Sequence, residues 1–73
     1  MKNPELKKQF EEEFIPSLER MLDKENAHLD KLELFKKENG HTVYIENAIY
    51  CSRDSIIELE YRLKEYKNYT KNL

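Results

Sequence analysis

A heptad run in the second half of the chain restricts the fold more than any other feature of the sequence. Eight positions recur at alternating steps of four and three residues: Ile45, Ile49, Ser52, Ile56, Leu59, Leu63, Tyr66 and Thr70. At about 100° per residue, this spacing keeps all eight on one side of an α-helix. Six are apolar or aromatic, and Ser52 is the only polar one inside the run, since Thr70 lies where a helix end should fray. The run therefore predicts a long helix with one packing seam.

The first half of the chain predicts a second helix with one irregularity. Asn3, Pro4 and Glu5 form a helix start, with an N-cap, a proline at the first helical position and an acid in the first turn. Apolar residues then follow along one stripe: Leu6, Phe10, Phe14, Leu18, Met21, Leu22, Leu29, Leu32 and Phe35. Inside a helix, Pro16 removes a hydrogen bond and clashes with the Glu12 carbonyl, which costs about 3 kcal/mol. Because the stripe continues across Pro16, we expect one helix kinked there.

The segment between the two helices predicts a tight turn. Lys36 and Lys37 lie in the last turn of the first helix, Gly40 suits a positive φ, and Thr42 can cap the second helix. The fold expected is all-α, a long antiparallel helical hairpin in a single domain. Its first arm covers about 4–38, its turn 39–41 and its second arm about 42–70.

A different structure for the turn is also compatible with the sequence. Asn39-Gly40 is a strong β-hairpin signal, and residues 42–45 have strand propensity. In this alternative, a short two-stranded hairpin separates the two helices, although such an isolated hairpin is only marginally stable.

The length and composition of the chain limit the size of its hydrophobic core and indicate its cellular compartment. The chain has 73 residues, of which 38% are apolar and 38% charged, and a core this small seldom supplies more than a few kcal/mol. The single cysteine excludes a disulfide within the chain and suits a reducing, cytoplasmic location. No run approaches the roughly 20 apolar residues of a membrane span, and none follows the N-terminal Met-Lys-Asn as in a signal peptide. We therefore expect no membrane partner.

A second apolar stripe on the second helix suggests where further burial occurs. Val43, Tyr50, Ile57 and Tyr61 lie about 150° from the heptad seam. Burial against the first arm alone would leave this stripe unused. Its simplest use is a second copy of the chain, giving a four-helix bundle by homodimerisation. The alternatives are the surface of another protein, or a set of singly exposed apolar residues, which are common on proteins.

Polar exceptions in the two arms fall at one level of the predicted hairpin. Pairing the arms around Gly40 brings together Glu25, His28, Ser52 and Ser55, with Cys51 at the edge. We interpret this cluster as a polar layer that fixes the register and the choice of partner at some cost in stability.

The same residues offer weaker chemical alternatives. Glu25 and His28 have the Glu-x-x-His spacing of di-iron helix bundles, but the facing seam offers Ser52 where a carboxylate is needed. A zinc site from Cys51, His28 and His41 is disfavoured because His41 lies in the turn. A Cys51 nucleophile paired with His28 would need a pocket that so thin a fold lacks. No metal, cofactor or enzymatic activity is therefore expected.

Charge gives little support to nucleic-acid binding. The net charge is −2, with 8 basic and 10 acidic side chains in residues 1–39 and 5 of each in residues 40–73, so neither half has a single-signed field. One basic and aromatic group at the C-terminal end could contact phosphates and stack on bases, or simply form a solvated helix end: Lys64, Tyr66, Lys67, Tyr69 and Lys71. The acidic part of the first arm could instead occupy the basic groove of a nucleic-acid enzyme, or be a solvated face: Glu11, Glu12, Glu13, Glu19 and Asp23.

Taken together, the sequence predicts a non-enzymatic helical interaction protein that self-associates and binds and modulates, including by inhibition, another protein. The stripe of Val43, Tyr50, Ile57 and Tyr61 is its predicted partner-binding face. A Lys-, Asn-, Glu-, Ile- and Tyr-rich composition is typical of accessory proteins of phages and mobile elements with AT-rich genomes. The alternative function is a small nucleic-acid-binding regulator that uses the C-terminal helix end.

Overall fold

A computed structural model describes residues 3–73 as two helical arms packed side by side. The first arm contains α1 (Pro4–Gln9), a π-helical turn (Phe10–Phe14) and α2 (Ile15–Asn39), and the second arm is one helix, α3 (Val43–Lys71). The predicted all-α hairpin is confirmed. Residues 3–73 contain no strand, so the alternative β-hairpin around Asn39-Gly40 is wrong. The molecule is a rod of 54 × 15 × 12 Å.

Both arms begin with side-chain caps that the sequence predicts. The Asn3 side chain accepts a hydrogen bond from the Leu6 backbone N–H at 3.1 Å, and Pro4 occupies the start of α1. The Thr42 hydroxyl accepts one from the Ile45 backbone N–H at 3.2 Å. These bonds satisfy N–H groups that a helix start otherwise leaves without partners.

The irregularity near Pro16 takes the form of the π-helical turn. The backbone N–H of Ile15 donates to the carbonyl of Phe10, five residues earlier, so the turn that leads into Pro16 is wider than an α-helical one. Leu6, Phe10 and Phe14 follow each other at four-residue steps, whereas an α-helical turn takes about 3.6 residues. The wide turn absorbs this excess and keeps these half-buried side chains facing α3.

At the other end of the hairpin, Gly40 reverses the chain. Its N–H donates to the Lys36 carbonyl at 2.9 Å, and its backbone has φ 88° and ψ −177°. That conformation is essentially restricted to glycine. A Cβ at Gly40 would meet nothing within 4 Å, so the requirement for glycine here is conformational and not one of space.

The heptad seam of α3 lies against the first arm along its whole length. Five of its eight residues are buried and the other three are half-buried. The expectation that Thr70 frays is wrong: its side chain is buried, its hydroxyl donates to the Tyr66 carbonyl at 2.6 Å, and it lines a shallow groove together with Ile15. Helix α3 continues to Lys71, and the first arm covers its seam as far as Thr70.

On the first arm, the buried face follows a stricter pattern than the predicted stripe. From α2 onward it takes steps of three and four residues: Ile15, Leu18, Leu22, Glu25, Leu29, Leu32 and Lys36. Met21 and Phe35, expected on the stripe, are 52% and 54% exposed because they lie beside this heptad line and not on it. Ile15, which the predicted stripe omits, is buried.

The hydrophobic core is correspondingly thin. Among the described residues, the buried apolar side chains are Ile15, Leu18, Ile45, Ile49 and Ile56. Each keeps between 4% and 9% of its surface exposed, since two helices cannot enclose a side chain from all directions. In the described part of the chain, no helix combines the length and the apolar character needed to cross a membrane.

An ion cluster joins the arms beside the turn. The Glu46 carboxylate pairs with the ammonium of Lys36 and lies 2.9 Å from Nδ1 of His41. The hydrogen bond from Lys36, followed by that from His41, lowers the pKa of Glu46 below its ordinary value of 4.5. Because Glu46 is solvent-accessible, salt screens these interactions.

This lowered pKa predicts a contribution to stability that acid removes. A carboxylate with a folded-state pKa below its unfolded value stabilises the fold above the unfolded pKa and loses that effect as the pH falls through the folded pKa. The urea midpoint of Glu46→Gln should therefore fall less than that of the wild type between about pH 6 and pH 3.

The matched control is Glu38→Gln, which removes an exposed carboxylate that forms no ion pair among the described residues. It should follow the wild-type pH profile. Equal acid sensitivity of Glu46→Gln and the wild type would show that the cluster contributes nothing.

Candidate functional site

The face of α3 turned away from the first arm carries a row of exposed apolar residues, which we call the outer stripe. It consists of Val43, Tyr50, Ile57 and Tyr61, which are 71%, 72%, 66% and 62% exposed. Seven-residue steps, and then one of four, keep these side chains in line on the helix. The structure thus places all four predicted partner-binding residues on the surface, opposite the buried seam.

The chain as a whole exposes more surface than a compact protein of its size. Its accessible surface is 6003 Å². A compact monomer of 8.9 kDa is expected to expose about 4,800 Å². The excess is therefore on the order of 1,200 Å², and a stable dimer interface hides roughly 600–1,000 Å² on each partner.

Further exposed apolar residues lie close to the turn. Tyr44 is 87% exposed, and Leu34 and Phe35 are each 54% exposed. Tyr44 and Leu34 are surface residues that the sequence did not lead us to predict. For Tyr44, its position one residue before Ile45, at the start of the seam, is a signal that could have placed it off the buried face.

One charged group adjusts the chemistry of the outer stripe. The carboxylate of Glu65, one helical turn beyond Tyr61, accepts a hydrogen bond from the phenol and raises the pKa of Tyr61.

Of the four residues in the predicted polar layer, Glu25 and Ser52 are in contact. The Ser52 hydroxyl donates to Oε1 of Glu25 at 2.8 Å, and Ser52 is only 3% exposed. Ser55 is exposed and lines a shallow groove that Glu25 also lines. His28 is exposed, and no side-chain hydrogen bond joins it to another described residue. Each of these two lies one residue before a seam position, Leu29 or Ile56, and a step of one residue turns a side chain about 100° round the helix.

An exposed ion pair beside this contact also joins the two arms. Arg53 Nη2 lies 3.0 Å from Oε1 of Glu33 on the facing helix, while Cys51 is a free, exposed thiol. Within residues 3–73, no group of three or more His, Cys, Asp or Glu side chains is placed to hold a metal ion.

The C-terminal aromatic residues pack against the first arm. The Phe10 ring lies with its centroid 5.3 Å from that of Tyr66, 5.2 Å from that of Tyr69 and 4.9 Å from that of Phe14. The two tyrosine rings predicted to stack on bases are thus in contact with Phe10. Lys64, Lys67 and Lys71 line a shallow groove beside them.

Comparisons of the chain with protein-family models, with curated proteins and with solved structures find no match.

The Glu25–Ser52 pair predicts opposite effects for single and double substitutions. Ser52→Ala leaves a half-buried carboxylate without its donor and should lower the free energy of unfolding by about 1–2 kcal/mol. Adding Glu25→Leu removes the group that needs a partner, so the double variant should be at least as stable as the wild type.

Urea unfolding of the three proteins measures this difference. Ser55→Ala is the matched control, since it changes an exposed serine one turn away and should shift stability by less than about 0.5 kcal/mol. A Ser52→Ala variant as stable as the wild type would contradict a structural role for the pair.

Proposed function

We propose that this chain is a non-enzymatic helical interaction protein that self-associates and binds and modulates a partner protein. The observation that carries the proposal is the outer stripe, four large apolar side chains that are all more than 60% exposed along one line of α3. Contiguous exposed apolar surface is typical of protein-binding faces, and aromatic residues such as tyrosine often dominate the binding energy there.

Self-association is the use of the outer stripe that best fits the thin core. The hairpin exposes about 1,200 Å² more than a compact monomer of its mass would. Two hairpins supply four helices, and a four-helix assembly lets each copy bury apolar surface that its own first arm cannot reach.

A second surface remains available for a different protein. Glu11, Glu12, Glu13, Glu19 and Asp23 are all exposed on the first arm. Their charge suits a basic partner surface, to which complementary charge contributes orientation and association rate. We assign the modulating contact with another protein to this acidic part of the first arm.

The proposal predicts that charges placed on the outer stripe dissociate the assembly. Tyr50→Lys combined with Ile57→Lys should weaken self-association by more than about tenfold, because each change removes a large apolar contact and buries a charge. Light scattering and sedimentation equilibrium should give the variant the monomer mass of 8.9 kDa. The wild type should have a larger mass.

Circular dichroism of the same variant should retain its helix content, since both substituted side chains are exposed. Asn26→Lys combined with Ala27→Lys is the matched control: it adds the same charge at exposed positions of α2 and should leave the assembly intact. A folded wild-type monomer at micromolar concentration would refute self-association.

A nucleic-acid-binding regulator is the second candidate, favoured by the three lysines that line one groove at the end of α3. The packing of the half-buried Tyr66 ring on Phe10 weighs against it, because stacking on bases requires free ring faces. We expect no binding to single- or double-stranded DNA or RNA at low salt in a fluorescence anisotropy titration. Binding that falls steeply with salt would favour this candidate over the leading one.

A further inference from the structure

A shallow groove, which we call the aromatic groove, lies between the C-terminal end of α3 and the first arm. It has a volume of about 430 Å³ and is lined by Phe10, Glu65, Tyr66, Asn68 and Tyr69. The Phe10 ring packs against both tyrosine rings. Tyr66 is half-buried, whereas Tyr69 keeps 49% of its surface exposed. Tyr69 therefore supplies the ring surface that a ligand in this groove can reach.

The one charged group among the described residues that line the aromatic groove is a carboxylate. Glu65 lies four residues before Tyr69, and this spacing places the two side chains beside each other on a helix. The hydrogen bond that Glu65 accepts from Tyr61 comes from a neutral phenol, so it does not compensate the negative charge. A carboxylate can accept further hydrogen bonds, because its two oxygens offer about four lone-pair sites. The aromatic groove therefore combines an exposed ring with a negative charge.

The basic side chains near the aromatic groove leave this charge unpaired. Glu65 forms no ion pair with another described residue, and the guanidinium of Arg62 lies 2.9 Å from Oε1 of Glu58 instead. Three lysines line a different groove, on the opposite flank of α3: Lys64, Lys67 and Lys71. Tyr69 also lies in the last turn of α3, where the partial negative charge of the backbone carbonyls favours a cation.

An arginine side chain has the shape and the hydrogen-bond donors that this combination suits. A planar guanidinium stacks on an aromatic ring and can donate to both oxygens of a carboxylate through parallel N–H groups. A lysine ammonium is a compact, strongly hydrated charge without this planar geometry. A nucleic acid would use the exposed ring for stacking, but the Glu65 carboxylate would repel its phosphates.

We propose that the aromatic groove binds an arginine side chain from a basic segment of the partner protein, with its guanidinium stacked on Tyr69 and donating to the Glu65 carboxylate. The proposal rests on the modulating contact proposed above and specifies the residue type that this contact recognises. Three exposed glutamates directly follow Phe10 in the chain: Glu11, Glu12 and Glu13. Their charge attracts a basic segment and increases its association rate.

Titrations of the full-length protein with fluorescent hexa-arginine and hexa-lysine peptides test this proposal at low salt. The two peptides carry the same charge, so the ratio of their affinities reports recognition of the guanidinium group. Fluorescence anisotropy should show that the wild type binds hexa-arginine at least about threefold more tightly, as expected for stacking at an exposed site. Tyr69→Leu and Glu65→Gln should each reduce this ratio towards one. Tyr69→Phe, which retains the ring, should preserve it.

Two exposed positions outside the aromatic groove provide the matched controls. Tyr44→Leu removes an exposed tyrosine close to the turn, and Glu60→Gln removes an exposed carboxylate on the opposite flank of α3. Both should leave the affinity ratio unchanged. Circular dichroism verifies that each variant is folded. If Tyr69→Leu fails to fold, Glu65→Gln still decides the outcome, because Glu65 is exposed.

An affinity ratio that is the same in the wild type and in all variants would overturn the arginine site. If both peptides still bind, the contact between the acidic first arm and a basic partner would stand. Absence of binding to either peptide would refute both the arginine site and that contact, while self-association is measured separately by sedimentation. Binding of single-stranded RNA that Tyr69→Leu abolishes would overturn the proposal in favour of a nucleic-acid ligand.

Discussion

The contact between two long helices is the constraint on which this structure depends. A pair of helices buries side chains along a line and cannot surround them, so even the most buried apolar residue, Ile49, retains 4% of its surface exposed. Polar contacts in the hairpin add stability that this thin core does not supply. The N-caps secure the starts of the arms, and the Lys36–Glu46 and Arg53–Glu33 ion pairs connect the arms across the seam.

The sequence predicted those parts of the fold that local periodicity determines. The seam of α3 has an unbroken heptad phase, and all eight of its residues are buried or half-buried. In the first arm the phase changes at the π-helical turn, and a single continuous stripe could not represent that change. Ile15, the first residue after this turn, was omitted, and Met21 and Phe35 were placed on the buried face because they are apolar and lie beside its heptad line. Pro16 marked the irregularity, but the five residues that adopt the wide turn precede it.

The candidate site also has features that the sequence predicted and features that it did not. The Glu25–Ser52 contact was predictable because each residue stands in the heptad line of its own helix, and the exposure of the outer stripe was predictable because it lies opposite that line. His28 and Ser55 were assigned from their level along the hairpin, and that level does not determine which side of the helix faces the other arm. The packing of Phe10 on Tyr66 and Tyr69 depends on how far the arms run past each other, a distance that neither helix encodes by itself.

The π-helical turn and Pro16 depend on each other. A wide turn has the geometry that a helix adopts when it accommodates one additional residue, and here it lies just where the proline would otherwise disrupt regular α-helix. Without the proline, the wide turn would lack its local cause. Without the additional residue, Leu6 and Phe10 would rotate away from α3. The number of residues between Leu6 and Ile15 is therefore constrained, because inserting or deleting one residue within the wide turn would rotate Leu6 by about 100° relative to α3.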